Sequence, residues 1–319
     1  MTETVKPVEP QMATIVSSES VESLDVIDKP SIWVRLIRNP SVIIGALLIA
    51  VIASLVPAAK MLTSLDPTEI SVRNRNKEPG HEMTFRNDDG EKYTVVAQMG
   101  TDKLGRDVYT RVIYGARVSL MVGLSVALIS VVIGLFIGLM AGYFRLVDAI
   151  VMRVMDGLMA IPAILLAIAL VSLSGASLLT VIIAIVIPEI PRVVRLVRSI
   201  VLSVREEPYV EAAISVGTPT PKILWRHILP NTVAPLIVQG TFICGSAILL
   251  EAILSFLGVG IPPETPTWGN IMAEGRDLFQ IFPHGIFYPG IFLTVTVLAI
   301  NMLGDGLRDT IDPQMSKEI

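Results

Sequence analysis

The sequence predicts an all-α integral membrane protein with six transmembrane helices, on three observations. Its 319 residues are 52% hydrophobic and only 17% charged, against about a quarter charged in soluble chains, and the mean hydropathy is +0.66. Six apolar runs, at residues 42–62, 118–143, 150–173, 178–197, 233–257 and 286–303, approach or exceed the ~20 residues that cross a bilayer as helix. Arginines flank several of these runs, as they do on the cytoplasmic side. The net charge of -4 offers none of the basic surface that nucleic acid requires.

Residues 1–30 are rich in Glu, Ser, Val, Thr and Pro, without the basic start and apolar core of a secretory signal, which predicts a mobile cytoplasmic tail. Residues 31–100 form a first unit of one span and an external segment. Arg35 and Arg38 precede the run at 42–62 and hold the N-terminus in the cytoplasm. Residues 66–100 are polar, and HEMTFRNDDGEKYTVV predicts a hairpin turned at Asp89-Gly90. His81 and Glu82 begin like a zinc-protease HExxH helix, but Phe85 stands in place of the second histidine, so no metal site follows.

In GTDKLGRDVYTRVIYGARVSL, Leu104, Val108 and Val112 repeat every fourth residue while Lys103, Arg106, Asp107 and Arg111 lie off that line. The pattern predicts an amphipathic helix on the membrane surface before the second span, either purely structural or in contact with substrate. The second span carries Gly134, Gly138 and Gly142 on one face, which lets another helix approach closely and marks a bundle-interior helix. A short cytoplasmic turn at 144–148 leads to the third span, which contains Asp156 and the kink-prone Ile161-Pro162. The fourth ends in Pro188, Glu189, Pro191 and Arg192, with Arg195 and Arg198 following. Glu189 is spaced to pair with Arg192, either as a capped helix end near the headgroups or as a pathway gate. Ionisable residues within spans are functional candidates, so Asp156, Glu189 and Arg192 are pathway or bundle residues.

The fifth span holds Glu251. A carboxylate at a helix centre costs ~2.5 to 3.5 kcal/mol on insertion scales unless it faces protein or water, so Glu251 looks inward, to meet substrate or to brace the bundle. Residues 260–285 are a proline-punctuated external loop with a short helix starting at Thr267 or Trp268. Trp268, Phe279 and Phe282 suit the membrane interface. The sixth span ends at Gly304-Asp305-Gly306, and the tail, 314–319 included, returns to the cytoplasm. Lys and Arg residues before Val112 weigh against this orientation, offset by acidic neighbours and segment length. Cys244 cannot form an internal disulfide and reads as packing.

Between the fourth and fifth spans lies a polar, proline-interrupted stretch, residues 205–231. Pro208 suits a first helical turn, Glu211, Ala212 and Ala213 favour helix, and Gly217 suits a left-handed stop. Thr218-Pro219-Thr220-Pro221 forces a turn; Ile223, Leu224 and Ile228 then recur at helical spacing until Pro230 bends the chain into the next run. Helix, turn, helix with small residues and charged edges suits docking better than catalysis.

Here a resemblance enters. Glu-Ala-Ala, three residues, Gly, then a hydrophobic-Leu-Pro ending resembles the signature loop of the membrane subunits of bacterial ABC importers. RHILPN, with His227 where the general pattern has isoleucine, and LLEAILSFLGVG are similar to the peptide-transporting subgroup, within the dipeptide, oligopeptide and nickel group, and GTDKLGRDVYTRVIYGARVSL resembles the segment that introduces the second helix in subunits of its second-permease type. His227 either tunes the contact or marks the subgroup. The resemblance covers residues 100–313 and implies the type I ABC importer transmembrane-domain fold, with the permease core at 101–313. It also implies that the loop carrying Glu211, Ala212, Ala213, Gly217, His227, Leu229 and Pro230 inserts into a cleft of a cytoplasmic ATPase. The implied partners are a second permease subunit in a heterodimer, two ATPase subunits that bind ATP and Mg, and an external substrate-binding protein, all at a bacterial inner membrane. The family commonly has a small residue near Glu189, where this sequence has a carboxylate.

No catalytic device accompanies these features. The G-x-x-x-x-G-K-[ST] phosphate loop and the G-x-S-x-G elbow are missing, and His81, His227 and His284 lie in separate segments. The chain reads as a non-enzyme without cofactor of its own, whose motor is another polypeptide. Peptides are the expected cargo; nickel complexes, glutathione and sugar-phosphate conjugates are the alternatives within the group, and an ATP-independent channel is the alternative outside it.

Overall fold

The computed structural model describes residues 32–86 and 92–311; the tails at 1–30 and 314–319 and the turn at Asp89-Gly90 lie outside them. Helix α1 (Ile32–Arg38) leads into α2 (Pro40–Leu62). Asn39 caps α2 by accepting from the Ser41 N–H at 2.9 Å. Its amide donates to the Gly306 carbonyl at 3.3 Å and the Thr310 hydroxyl at 3.4 Å, so α2 begins where the last helix ends. At the far end the Thr63 and Thr110 hydroxyls meet at 2.6 Å, joining the exit of α2 to the start of α3. The predicted strands are present as β1 (His81–Arg86) and β2 (Lys92–Ala97), antiparallel, over a small cluster of Leu65, Met83 and Ala97.

Four further helices, α3 (Val108–Tyr143), α4 (Arg145–Met159), α5 (Ala163–Ser174) and α6 (Leu178–Val204), build half of the bundle. The rest is α7 (Pro208–Ser215), α8 (Thr220–Ile223), α9 (Leu229–Phe256), α10 (Trp268–Gly275) and α11 (His284–Ile311). Helices α3 and α6 run parallel, because the glycine stripe of α3 meets valines at the same four-residue step. A Cβ on Gly134, Gly138 or Gly142 would lie 2.5, 2.6 and 2.6 Å from the Cβ of Val193, Val197 and Val201 respectively. The expected close helix partner is therefore α6, and all three valines are fully buried.

Several expectations are corrected. The third span is not one helix: α4 and α5 are bent by 88°, because Pro162 drives Ile161 out of helical geometry, and the short turn expected at 144–148 is already the start of α4. The surface helix through Leu104 to Val112 is absent. Residues 100–107 are irregular, since Gly105 sits at φ +78° with the Ser71 carbonyl where a Cβ would be, and Asp107 caps α3 by accepting from the Thr110 N–H at 2.8 Å. Pro230 produces no sharp bend; a π-helical turn at Leu224–Ile228 absorbs the missing N–H, with Leu229 N–H bonding to the Leu224 carbonyl. The last helix continues through Gly304 and Gly306 to Ile311, and Gly306 packs tightly on Val42 of α2. Trp268 is no interface anchor: it is fully buried and its indole N–H donates to the Val112 carbonyl at 3.1 Å.

The count of spans also differs from simple composition. Among the described residues four helices are long and apolar enough to cross a membrane, five if the bent α4–α5 pair is counted as one span. Helix α6 has the length, 27 residues, but carries Glu189, Arg192, Arg195 and Arg198.

Candidate docking surface and buried polar sites

The segment between α6 and α9 folds as a small module. Val210 of α7, Ile223 of α8 and Ile228 of the π turn are buried and belong to the main core. Asn231 donates to the Tyr209 hydroxyl at 3.2 Å, and the Tyr209 and His227 rings lie 6.2 Å apart, which closes α7 onto the start of α9. A Schellman motif ends α7: Thr218 N–H bonds to the Ala213 carbonyl at 3.0 Å and Gly217 N–H to Ile214 at 2.9 Å, with Gly217 at φ +82°. The predicted left-handed stop is thus observed.

The predicted coupling residues lie on this module with differing exposure: Glu211, Ala212, Gly217 and Pro230 are exposed, and Ala213, His227 and Leu229 are half-buried. The same module leaves large apolar side chains uncovered: Trp225 is 74% exposed and Val216 86%, and Tyr209 and Ile214 of α7 are exposed as well. An apolar set on an otherwise polar, rigidly capped element is the mark of a protein interface.

The charged candidates divide into two groups. Glu189 is buried and both its oxygens lie 3.2 Å from one Arg192 nitrogen, as the spacing predicts. Asp156 is largely exposed and pairs with Arg195 at 2.5 Å. Two turns back along α4, Asp148 binds Arg198 through both oxygens, the Nη2 contact at 2.7 Å, so α4 is strapped along the end of α6. Glu251 stands apart. It is fully buried, accepts from the Ser255 hydroxyl at 2.8 Å, and has one oxygen without a partner among the described residues; the adjoining Ala252 backbone packs within 2.7 Å of where a Gly269 Cβ would be.

A buried ion cluster at the opposite end of the bundle from the α7–α8 module escaped sequence reasoning. Asp102 accepts the Leu104 and Arg106 N–H groups at 2.8 and 2.9 Å, Arg106 Nε at 2.7 Å and Arg111 Nη1 at 3.3 Å. Glu274 of α10 takes the other arms of both arginines, the Arg111 contact being 3.4 Å. Burial pushes the Glu274 carboxyl up from its ordinary range, and the Arg106 guanidinium pulls it back. The only signal in the sequence was the density of charge before Val112, which tertiary structure neutralises. Glu274→Ala leaves two buried guanidinium groups sharing the single carboxylate of Asp102. We expect a loss of ~3 to 5 kcal/mol of stability, read as a lowered thermal midpoint in detergent.

Residues 110–317 match the family described as binding-protein-dependent transport system inner membrane component. The chain is 51% identical over 280 residues to a probable peptide ABC transporter permease protein of Sinorhizobium fredii, covering 88% of this chain and 91% of that one. It is 40% identical to a dipeptide transport system permease protein of Alkalihalophilus pseudofirmus, covering 88% of each. It is 43% identical to a glutathione transport system permease protein of Pectobacterium atrosepticum, covering 68% of this chain and 72% of that one.

Proposed function

The chain belongs to the family of binding-protein-dependent transport system inner membrane components, and on that premise we propose that it forms half of a peptide pathway which a cytoplasmic ATPase opens and closes through residues 205–231. It is a permease subunit of an ABC importer, a multi-pass membrane component rather than an enzyme. Peptides are the cargo because relatives over most of its length are named for peptide or dipeptide transport.

The observation that carries the coupling reading is the uncovered apolar set Tyr209, Ile214, Val216 and Trp225 on the capped module. A cleft on one of two ATPase subunits, which hold ATP and Mg, receives this surface in a complex with a second permease subunit and an external binding protein. Six passes of the chain, with α6 as one of them, put the module, α1 and the end of α11 on the cytoplasmic side. In support, Asn39 bonds to α11 near its end, and Arg35, Arg38, Arg145, Arg205 and Arg308 all fall on that side. ATP binding draws the ATPases together, the module moves with them, and the bundle passes between two packings that face opposite sides of the membrane.

The test is to purify the chain with its neighbouring subunits and measure ATP hydrolysis and peptide uptake. Trp225→Ala is expected to leave the subunit folded and to weaken ATPase association by ~2 kcal/mol or more, as loss of an interface tryptophan does. Full ATPase recovery on co-purification of that variant would remove the docking role.

A further inference from the structure

Arg192 lies 14 residues into α6, ~21 Å along the helix axis from Leu178, and its side chain is 51% exposed while that of Glu189 is 4% exposed. One guanidinium nitrogen, Nη1, serves both Glu189 oxygens. Nε and Nη2 have no acceptor among the described residues. Beside them opens a cavity of about 320 Å³, lined by Arg192 with Gln239, Phe242 and Ser246 of α9 and Asn301 of α11. Neither the Gln239 nor the Asn301 amide has a hydrogen-bond partner among the described residues, and Asn301 is close enough to Gly245 that a Cβ there would touch its oxygen at 3.0 Å.

A cation at this depth does not face hydrocarbon without a large cost, and three polar side chains from two other helices converge on the same space. Unless the second permease subunit packs over it, the face is water-filled or ligand-filled. Its chemistry is one-sided, because the counter-ion is sealed beneath the helix and only the cation is presented. A planar guanidinium with an open edge matches a carboxylate in bidentate fashion, which a point charge does not. The cavity has the volume of a small ligand site and admits one end of a peptide.

We propose that Arg192 receives the C-terminal carboxylate of the transported peptide through its open Nε and Nη2 edge, with Gln239, Ser246 and Asn301 hydrogen-bonding the terminal peptide unit. The proposal rests on the peptide-importer reading above. Glu189 holds the guanidinium in place and offsets its charge when the cavity is empty, so it is a positioning residue.

The assay is direct binding of a tripeptide and of its C-terminal amide to the purified, nucleotide-free transporter without the binding protein, whose own selectivity then does not enter. Wild type is expected to bind the free acid about tenfold more tightly than the amide, the worth of one charge-assisted hydrogen bond. Because Arg192→Gln alone leaves Glu189 buried without its partner, the deciding variant is the double replacement Glu189→Gln with Arg192→Gln, which keeps a neutral pair. It is expected to bind both peptides alike, at the wild-type affinity for the amide. Equal affinities in wild type, an undiminished preference in the double variant, or an equal loss for both peptides, as when the second permease subunit packs over Arg192, overturns the proposal. So does the lack of detectable binding to a complex that transports the free acid. Uptake in proteoliposomes with the binding protein tests the underlying reading separately: no ATP-driven uptake of the free acid by wild type removes the peptide-importer assignment itself.

Discussion

Replacing Gly138 with Leu is expected to abolish the folded subunit. A Cβ at this position already stands 2.6 Å from the Val197 Cβ and 3.0 Å from the Val194 carbonyl oxygen, so a four-carbon side chain has to push the α6 backbone away. Ordinary overpacking of a core costs ~1 to 3 kcal/mol; here the obstacle is main chain, and the same displacement strips Gly134 and Gly142 of their valine partners. Gly138→Ala should lie in the ordinary range and remain purifiable. The measurement is the recovery of monodisperse protein and its thermal unfolding in detergent. Pairing Gly138→Ala with Val197→Ala should recover most of the loss, a coupling between neighbours that separate sites would not show. Additive losses in that pair would mean that the two helices do not meet here.

Replacing Gly217 with Val should have the largest effect on transport with the least effect on the bundle. Gly217 is at φ +82°, and no atom lies within 4 Å of where its Cβ would be. The obstacle is conformational, ~1 to 2 kcal/mol for an ordinary residue in the left-handed region and more disfavoured for a β-branched one. The valine escapes by leaving that region, which breaks the Thr218-to-Ala213 and Gly217-to-Ile214 bonds and redirects the chain entering α8. Since 1.4 kcal/mol is a factor of ten, ATPase association and peptide uptake are expected to fall about tenfold or more. Insertion, thermal stability of the isolated subunit and the Asn231–Tyr209 contact should persist. Wild-type uptake by this variant would show that the angle between α7 and α8 is not what the ATPase reads.

These two glycines mark what could be read from the sequence and what could not. The stripe at 134, 138 and 142 and the stop at 217 were legible because glycine has few reasons to recur on one helix face or to follow a helix immediately. Long apolar runs located α2, α3, α9 and α11 for the same reason, since only lipid or a deep core tolerates them. The failures came where a local device overrode a period. Every fourth residue from Leu104 to Val112 was apolar, yet Gly105 and the Asp107 cap ended the irregular stretch only at Val108. Trp268 has the amphipathic character of an interface residue, but the Val112 carbonyl supplies its partner inside the protein. Ile161-Pro162 announced a break without its angle, because the direction of α4 is set by Asp148 and Asp156 reaching Arg198 and Arg195 on α6.

Among the candidate sites, the Glu189–Arg192 pair was legible because i,i+3 spacing on a helix makes neighbours of two charges. The cavity beside it was not, since Gln239, Ser246 and Asn301 belong to two other helices and no periodicity relates them to Arg192. The cluster of Asp102, Arg106, Arg111 and Glu274 spans more than 160 residues of sequence, as the Arg106–Glu274 separation of 168 records. Such a set can be recognised only after the chain has folded.

The π turn at Leu224–Ile228 has a mechanical meaning as well as a local one. By accommodating Pro230 without a bend it leaves Thr220–Phe256 as a single run of 37 residues, ~55 Å from end to end. Trp225 is near one tip of this push rod, and Ser255, against the Trp268 loop, is at the other. If the ATPase docks where we propose, force applied near Trp225 is carried along this one helical run, through Pro235, to the opposite rim of the bundle.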